Sequence, residues 1–145
     1  MITTQVDTLD GEPPPVAAES VSALVAAVLK DAGSSTAGVQ VVFGNDEYLK
    51  ELKSRFFGQA VYTDVIAFNL NESDEPLEGE IYISPQRARE NSLLYHQTYR
   101  RELLRLVVHG CLHLVGHEDD TPQQEEQMRV LEDHYLEEVA PETER

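Results

Sequence analysis

The sequence predicts an α+β fold, a single domain in which a small mixed β-sheet packs against several helices. The chain has 145 residues, of which 41% are hydrophobic, and this is enough to bury one core without disulfide bonds. Short β-branched segments and amphipathic helical segments follow one another without strict alternation, and no repeat is visible. We expect residues 1–145 to form one domain, with residue 1 and residues 140–145 frayed.

The first half of the chain predicts two strands and two helices. Residues 2–6 form a short candidate strand, and residues 39–43 are β-branched and bounded by glycines, as expected for a second strand. Between them, apolar residues recur at helical spacing over residues 16–32. Asn45 is a favourable N-cap for the second helix, which is expected to end at Gly58.

The second half of the chain begins with two more strands, predicted over residues 65–70 and 80–84 on either side of an acidic loop. Ser84 then provides an N-cap for a helix that continues to residue 94. The next helix begins near Thr98 and ends at Gly116, because glycine tolerates the left-handed backbone that closes many helices.

The last predicted helix opens at a capping box formed by Thr121 and Gln124, with Pro122 at the first helical position. Its apolar residues lie on one stripe, which we interpret as part of the core rather than as a cofactor site. These residues are Met128, Leu131, Tyr135 and Val139.

The chain is strongly acidic, with 27 aspartates and glutamates against 11 lysines and arginines and a net charge of −16. Such a charge repels phosphates at long range, so composition alone argues against a nucleic-acid binder, and we expect no DNA partner. The arginines between residues 87 and 105, including Arg105 itself, are interpreted as a solvated helix face, and the alternative is a local basic face on the acidic body that contacts RNA.

The single cysteine, Cys111, lies within an apolar helix and permits no internal disulfide, which fits a reducing compartment. No apolar run reaches membrane-spanning length, and the chain does not open with a basic segment followed by an apolar one. We therefore expect a cytoplasmic protein with no membrane partner.

The helix that ends at Gly116 carries His109 and His113 four residues apart, and hence on one face. The rest of this helix is almost entirely apolar, and imidazoles without partners are costly to bury there. Asp119 follows Gly116 by three residues, so the returning chain can bring its carboxylate toward both imidazoles. We predict a metal site with His109, His113 and Asp119 as three ligands and an open fourth position.

The third ligand has an alternative in His117, which is the better zinc donor by chemistry. Its place directly after the helix-ending glycine argues against it, whereas the metzincin spacing H-x3-H-x2-G-x2-H leads to Asp119. Zinc peptidases also place a glutamate directly after the first histidine as the general base, and this chain has Gly110 there. A metallopeptidase of that kind is therefore disfavoured.

Beginning at His109, the segment H-G-C-L-H-L-V-G matches the H-G-x-L-H-L-x-G signature of the YbeY family, bacterial rRNA maturation factors described as metal-dependent endoribonucleases. The segments Y-T-D-V-I-A-F from Tyr62 and G-E-I-Y-I-S from Gly79 resemble two further family motifs. The similarity extends from residue 39 to residue 136. This resemblance implies a zincin-like metal helix packed against the small sheet.

Two positions depart from the pattern of the family that the chain resembles. The third metal-binding histidine of the family corresponds to Asp119, and the usual arginine before the T-D-V strand corresponds to Phe57. A carboxylate in place of a histidine weakens zinc binding and shifts the preference toward Mn²⁺, Co²⁺ or Ni²⁺. The loop residues His117, Glu118 and Asp120 are candidate proton carriers, which we interpret as solvated side chains, and no catalytic group is assigned.

The resemblance implies a Zn²⁺-dependent single-strand endoribonuclease that matures the 3′ end of small-subunit rRNA, with the rRNA and the small ribosomal subunit as partners. RNA carries its own nucleophile in the 2′-hydroxyl, so a glutamate base is less necessary than in a peptidase. One alternative is a non-catalytic ribosome-assembly factor that uses the metal structurally. A metallopeptidase is the other.

Overall fold

The computed structural model describes residues 1–140, and within them the chain forms four strands and five helices. The predicted α+β class is confirmed, since a helix or strand is present at each predicted place. The single-domain organisation stays a prediction, and of the residues expected to fray, 141–145 lie outside the described part. In chain order the elements are β1 (Ile2–Thr8), α1 (Ala18–Asp31), β2 (Ala37–Phe43), α2 (Asp46–Phe57), β3 (Val65–Asn69), β4 (Leu77–Ile83), α3 (Pro85–Leu94), α4 (Tyr99–Leu114) and α5 (Pro122–Val139).

The four strands form one mixed sheet in the order β1-β2-β4-β3. Strands β1, β2 and β4 are parallel, and Val41 of β2 is paired with Val6 of β1 on one side and Ile81 of β4 on the other. Strand β3 runs antiparallel to β4, with Val65 opposite Ile83. Strand β3 therefore lies at the edge of the sheet, with β4 on one side. Residues of β3 line a cleft.

The hydrophobic core lies between one face of the sheet and helices α1, α4 and α5. Side chains alternate across the sheet, so β2 and β4 send every second residue into this core. Burial of apolar surface stabilises the fold by roughly 25 cal/mol per Å². Core residues that are at most 1% exposed include Leu24, Val41, Ile81, Val107 and Leu136. Helix α2 covers part of the opposite face with a smaller cluster of Leu49, Leu52 and Ile66.

Helix α4 connects the core with the candidate site, because it packs against α1, α3 and α5 and also against β3 and β4. Thr98 caps it by accepting a hydrogen bond from the backbone N–H of Arg101, as predicted. Ten of its 16 residues are buried, which explains the long apolar run in the sequence. Within residues 1–140, no helix combines the length and apolarity that a membrane crossing requires.

The start of strand β4 differs from the prediction. The strand begins at Leu77, three residues before the predicted start, and thus includes part of the expected acidic loop. Glu78 is exposed whereas Gly79 and Ile81 are buried, so the strand alternates in the usual way. The acidic residues concealed this alternation, because Gly79 contributes no apolar side chain to it.

Candidate metal centre

Two short-range features of the chain bring a histidine pair and an aspartate together. Helix α4 carries His109 and His113 one turn apart, and Gly116 ends the helix with a left-handed φ of 103°. The backbone N–H of Gly116 donates to the carbonyl of His113 at 3.0 Å, and that of His117 donates to the carbonyl of Leu112 at 3.0 Å. This Schellman motif reverses the chain, so Asp119 returns toward the helix.

The three predicted ligand side chains lie close to one another. The Nε2 atoms of His109 and His113 are 3.1 Å apart, and Asp119 Oδ2 and Oδ1 lie 3.3 Å and 3.5 Å from them respectively. Ligands at 2.0–2.1 Å from a tetrahedral metal are separated by about 3.3 Å, so these distances suit one ion between the side chains. Within residues 1–140, no other trio of His, Cys, Asp or Glu side chains meets so closely, and His117 does not join this one.

The hydrogen bonding of His109 also suits a metal ligand. Glu132, on α5, places Oε2 2.6 Å from His109 Nδ1. A carboxylate at this distance keeps a proton on Nδ1 and leaves the Nε2 lone pair free, which is the arrangement of most metal-binding histidines. Burial opposes the charge of Glu132, but the hydrogen bond with His109 and the positive charge of Arg105 together hold the pKa of this carboxyl below its usual value.

Behind His109, a buried network of charges connects α4 with α5. Arg105 donates to both oxygens of Glu102, at 2.9 Å and 2.6 Å, and to Glu132 Oε1 at 2.9 Å. Glu102 and Glu132 are 1% and 2% exposed, so each depends on these contacts for its charge. The network fixes the position of Glu132, and through it the orientation of the His109 ring.

The interpretation of Arg105 as part of a solvated helix face is wrong. Its side chain is 20% exposed and forms ion pairs with two buried glutamates. Sequence analysis missed Glu102 and Glu132 as its partners. One signal was present, because Glu132 occupies the position between Met128 and Tyr135 on the apolar stripe of α5, where a carboxylate requires a buried partner.

The three side chains remain accessible from an open cleft of about 600 Å³. The side chains of His113 and Asp119 are 32% and 34% exposed, so a fourth ligand or a substrate can approach them. Strand β3 and the end of α2 form the opposite wall, where Phe57 and Lys53 line the cleft. Three exposed residues of the returning loop also line it, namely His117, Glu118 and Asp120, and their role as solvated side chains stays a prediction.

Gly110 faces the sheet rather than the cleft. A Cβ atom at this position would lie 2.6 Å from Cγ2 of Ile81, a contact too short for any side chain. The glycine is therefore needed for the close crossing of α4 over β4. A glutamate base directly after the first histidine, as in zinc peptidases, cannot be accommodated here without moving the helix.

Comparisons with known proteins agree with one another. The family model described as endoribonuclease YbeY matches residues 10–140. An endoribonuclease YbeY from Cytophaga hutchinsonii is 41% identical over 95 residues, which is 66% of each chain, and one from Parabacteroides distasonis is 32% identical over 123 residues, 85% of this chain and 86% of the relative. The solution structure of TM1509 from Thermotoga maritima is similar with a TM-score of 0.63 and 29% identity, covering 94% of this chain and 88% of that one.

Proposed function

The chain belongs to the YbeY endoribonuclease family, and from this membership we propose that it is a metal-dependent hydrolase that cleaves single-stranded RNA. The observation that carries the proposal is the convergence of His109, His113 and Asp119 in an open cleft. The relatives are named endoribonucleases, which supports RNA as the substrate. We further propose that the RNA is the 3′ end of small-subunit rRNA, and that the protein meets it on the small ribosomal subunit in the cytoplasm.

The proposed ligands are Nε2 of His109, Nε2 of His113 and one carboxylate oxygen of Asp119. When bound, the cation supplies Lewis acidity, which polarises a phosphoryl oxygen and lowers the pKa of water. Zn²⁺ suits the two imidazoles, whereas the carboxylate also admits Mn²⁺, Co²⁺ or Ni²⁺. Glu132 keeps the His109 ring in the orientation and tautomer that this role requires.

The residues around the site favour phosphodiester cleavage over peptide cleavage. Position 110 offers no general base, because Gly110 is buried against Ile81. RNA needs that base less, since its 2′-hydroxyl can attack the neighbouring phosphorus. This attack breaks the bond from phosphorus to the 5′-oxygen, which takes up a proton and leaves as a hydroxyl, and the 2′,3′-cyclic phosphate that forms is then opened by water. The side chains of the returning loop that line the cleft are exposed, so water and an extended RNA strand can enter the cleft on this side.

Removal and return of the metal tests this function. Purified protein is incubated with a precursor of the 3′ end of small-subunit rRNA, before and after treatment with a chelator, and casein serves as the comparison substrate. We expect cleavage of the RNA that stops on chelation and returns on addition of Zn²⁺ or Mn²⁺, with no turnover of casein. Absence of RNA cleavage by fully metal-loaded protein would favour the ribosome-assembly factor, and chelator-sensitive casein turnover would favour the peptidase.

A further inference from the structure

Two aromatic rings stack on each other beside the cleft, and one of them, Phe57, lines the cleft that contains the histidines. Phe57, the last residue of α2, is 48% exposed although it is a large apolar residue. Its ring stacks on Phe68 of β3, with 5.8 Å between centroids and 21° between ring planes. We refer to Phe57 and Phe68 as the ring stack. The ring of Tyr82, on the neighbouring strand β4, packs edge-on against the Phe68 ring, with 5.9 Å between the ring centroids.

The ring stack is held in a fixed position relative to the candidate metal site. Phe68 belongs to β3, which is hydrogen-bonded to β4 along its length. The next residue, Asn69, donates a side-chain hydrogen bond to the carbonyl of Leu114 at 3.0 Å. Leu114 is the last residue of α4, the helix that carries both histidines. The wall with the exposed ring and the helix with the ligands are therefore joined directly.

Lys53 provides a positive charge beside the ring stack. It lies one helical turn before Phe57, and its Nζ atom is 4.8 Å from the centre of the Phe57 ring. Among the described residues, Lys53 forms no ion pair, and it is the one lysine or arginine that lines the cleft. The other charged residues of the cleft wall are acidic, so an anion entering the cleft is attracted to this side of it.

We propose that Phe57 is a stacking platform for one unpaired nucleobase of the RNA substrate, and that Lys53 neutralises a phosphate next to that base. A flat, half-exposed ring beside an unpaired cation is the combination with which proteins bind single-stranded nucleic acid. A base within a duplex is already stacked on both sides, so this platform selects unpaired RNA. Stacking of a base is stronger than an exposed cation–π contact, which allows Lys53 to leave the ring for the phosphate.

This inference rests on the proposed function and adds the feature of the RNA that the cleft recognises. It also explains how so acidic a protein binds RNA at this place. The positive charge of Lys53 acts within the cleft, and stacking of a base does not depend on the net charge of the protein. Because the ring and the candidate metal ligands line the same cleft, the stacked base positions a nearby phosphodiester toward the histidines.

The test measures binding of a labelled single-stranded RNA of about 12 nucleotides by fluorescence anisotropy, with the metal-loaded full chain. Phe57→Leu keeps an apolar side chain against Phe68 but removes the flat ring, and we expect the Kd to rise about 10-fold. Phe57→Trp keeps a ring and should bind within about twofold of the wild type. Tyr95→Leu is the control, because Tyr95 is an exposed aromatic residue (53%) that does not line the cleft, and its Kd should not change.

A scan of abasic sites through the RNA identifies the stacked base. At one position, removal of the base should raise the Kd of the wild type about as much as Phe57→Leu raises it for the intact RNA. Removal of the same base should not raise the Kd of Phe57→Leu any further. The same sequence as a duplex should bind wild type and Phe57→Leu equally. Gel electrophoresis after each titration verifies that the RNA is intact.

Three results would overturn the proposal: an unchanged Kd for Phe57→Leu, an equal loss on single strand and duplex, or no RNA binding by the wild type. Failure of the ring stack is distinguishable from failure of the proposed function. Metal-dependent RNA cleavage together with an unchanged Kd for Phe57→Leu rejects the platform and keeps the hydrolase. Binding that depends on Phe57 without any cleavage keeps the platform and rejects the hydrolase.

Discussion

Replacement of His113 by alanine is expected to remove the metal and the RNA cleavage together. The variant leaves His109 and Asp119 as the only proposed protein ligands, which is too few for a stable site. Loss of a residue that hydrogen-bonds to a metal ligand lowers metal affinity by about 10–100-fold. Loss of the ligand itself should therefore lower metal affinity by more than about 100-fold. The side chain of His113 is 32% exposed, and the fold should therefore survive the change. Elemental analysis, RNA cleavage and thermal unfolding of matched preparations measure the three effects.

His117→Ala is the matched control for this experiment. His117 is also a histidine of the cleft wall, but it lies outside the group formed by His109, His113 and Asp119. The control should keep its metal and its cleavage activity. Asp119→Ala, by contrast, should lower metal occupancy far more than His117→Ala. The reverse order of the last two variants would assign the third ligand to His117 and contradict the geometry described above.

Replacement of Glu132 by alanine is expected to have the largest effect on stability. The change removes the partner of His109 Nδ1 and one of the two carboxylates around Arg105. Breaking a buried ion pair from one side destabilises a protein by about 3–5 kcal/mol when the remaining charge loses its partner, whereas Arg105 keeps both hydrogen bonds to Glu102. Since the Arg105 side chain is 20% exposed, we expect the lower end, about 3 kcal/mol. Chemical unfolding of the metal-free proteins measures this loss.

The same variant should also bind the metal about 10–100-fold more weakly, because His109 loses the group that orients it. Glu126→Ala is the control, since Glu126 lies exposed on the same helix, and its free energy of unfolding should change by less than about 0.5 kcal/mol. A loss below about 1 kcal/mol for Glu132→Ala would mean that the buried network contributes little to stability. Glu132→Gln, which keeps the shape of the side chain, separates the contribution of charge from that of packing.

The candidate ligands could be predicted from the sequence because the features that assemble them are local. His109 and His113 share a helix, and the reversal at Gly116 needs only a residue that tolerates positive φ. The boundaries of α4 were predictable for the same reason, since Thr98 caps its first turn by a short-range hydrogen bond. These features depend on side-chain chemistry within a few residues.

The surroundings of the site could not be predicted in the same way, because they depend on contacts between distant parts of the chain. Glu132 meets His109 only when α5 packs against α4, and the 22 residues between them in the chain carry no signal of this pairing. Phe57 reaches the cleft because α2 packs against the sheet beside β3. Arg105 was misinterpreted because a lone arginine in an apolar helix has the same sequence pattern whether it points to solvent or to buried glutamates.

Anomalous diffraction from crystals of the metal-loaded protein tests the central claim most directly. We expect one anomalous peak in the cleft, about 2 Å from Nε2 of His109, Nε2 of His113 and one oxygen of Asp119. Data collected on both sides of the absorption edge also identify the element. A metal held by other side chains, or a metal-loaded protein with no peak among these three residues, would contradict the account.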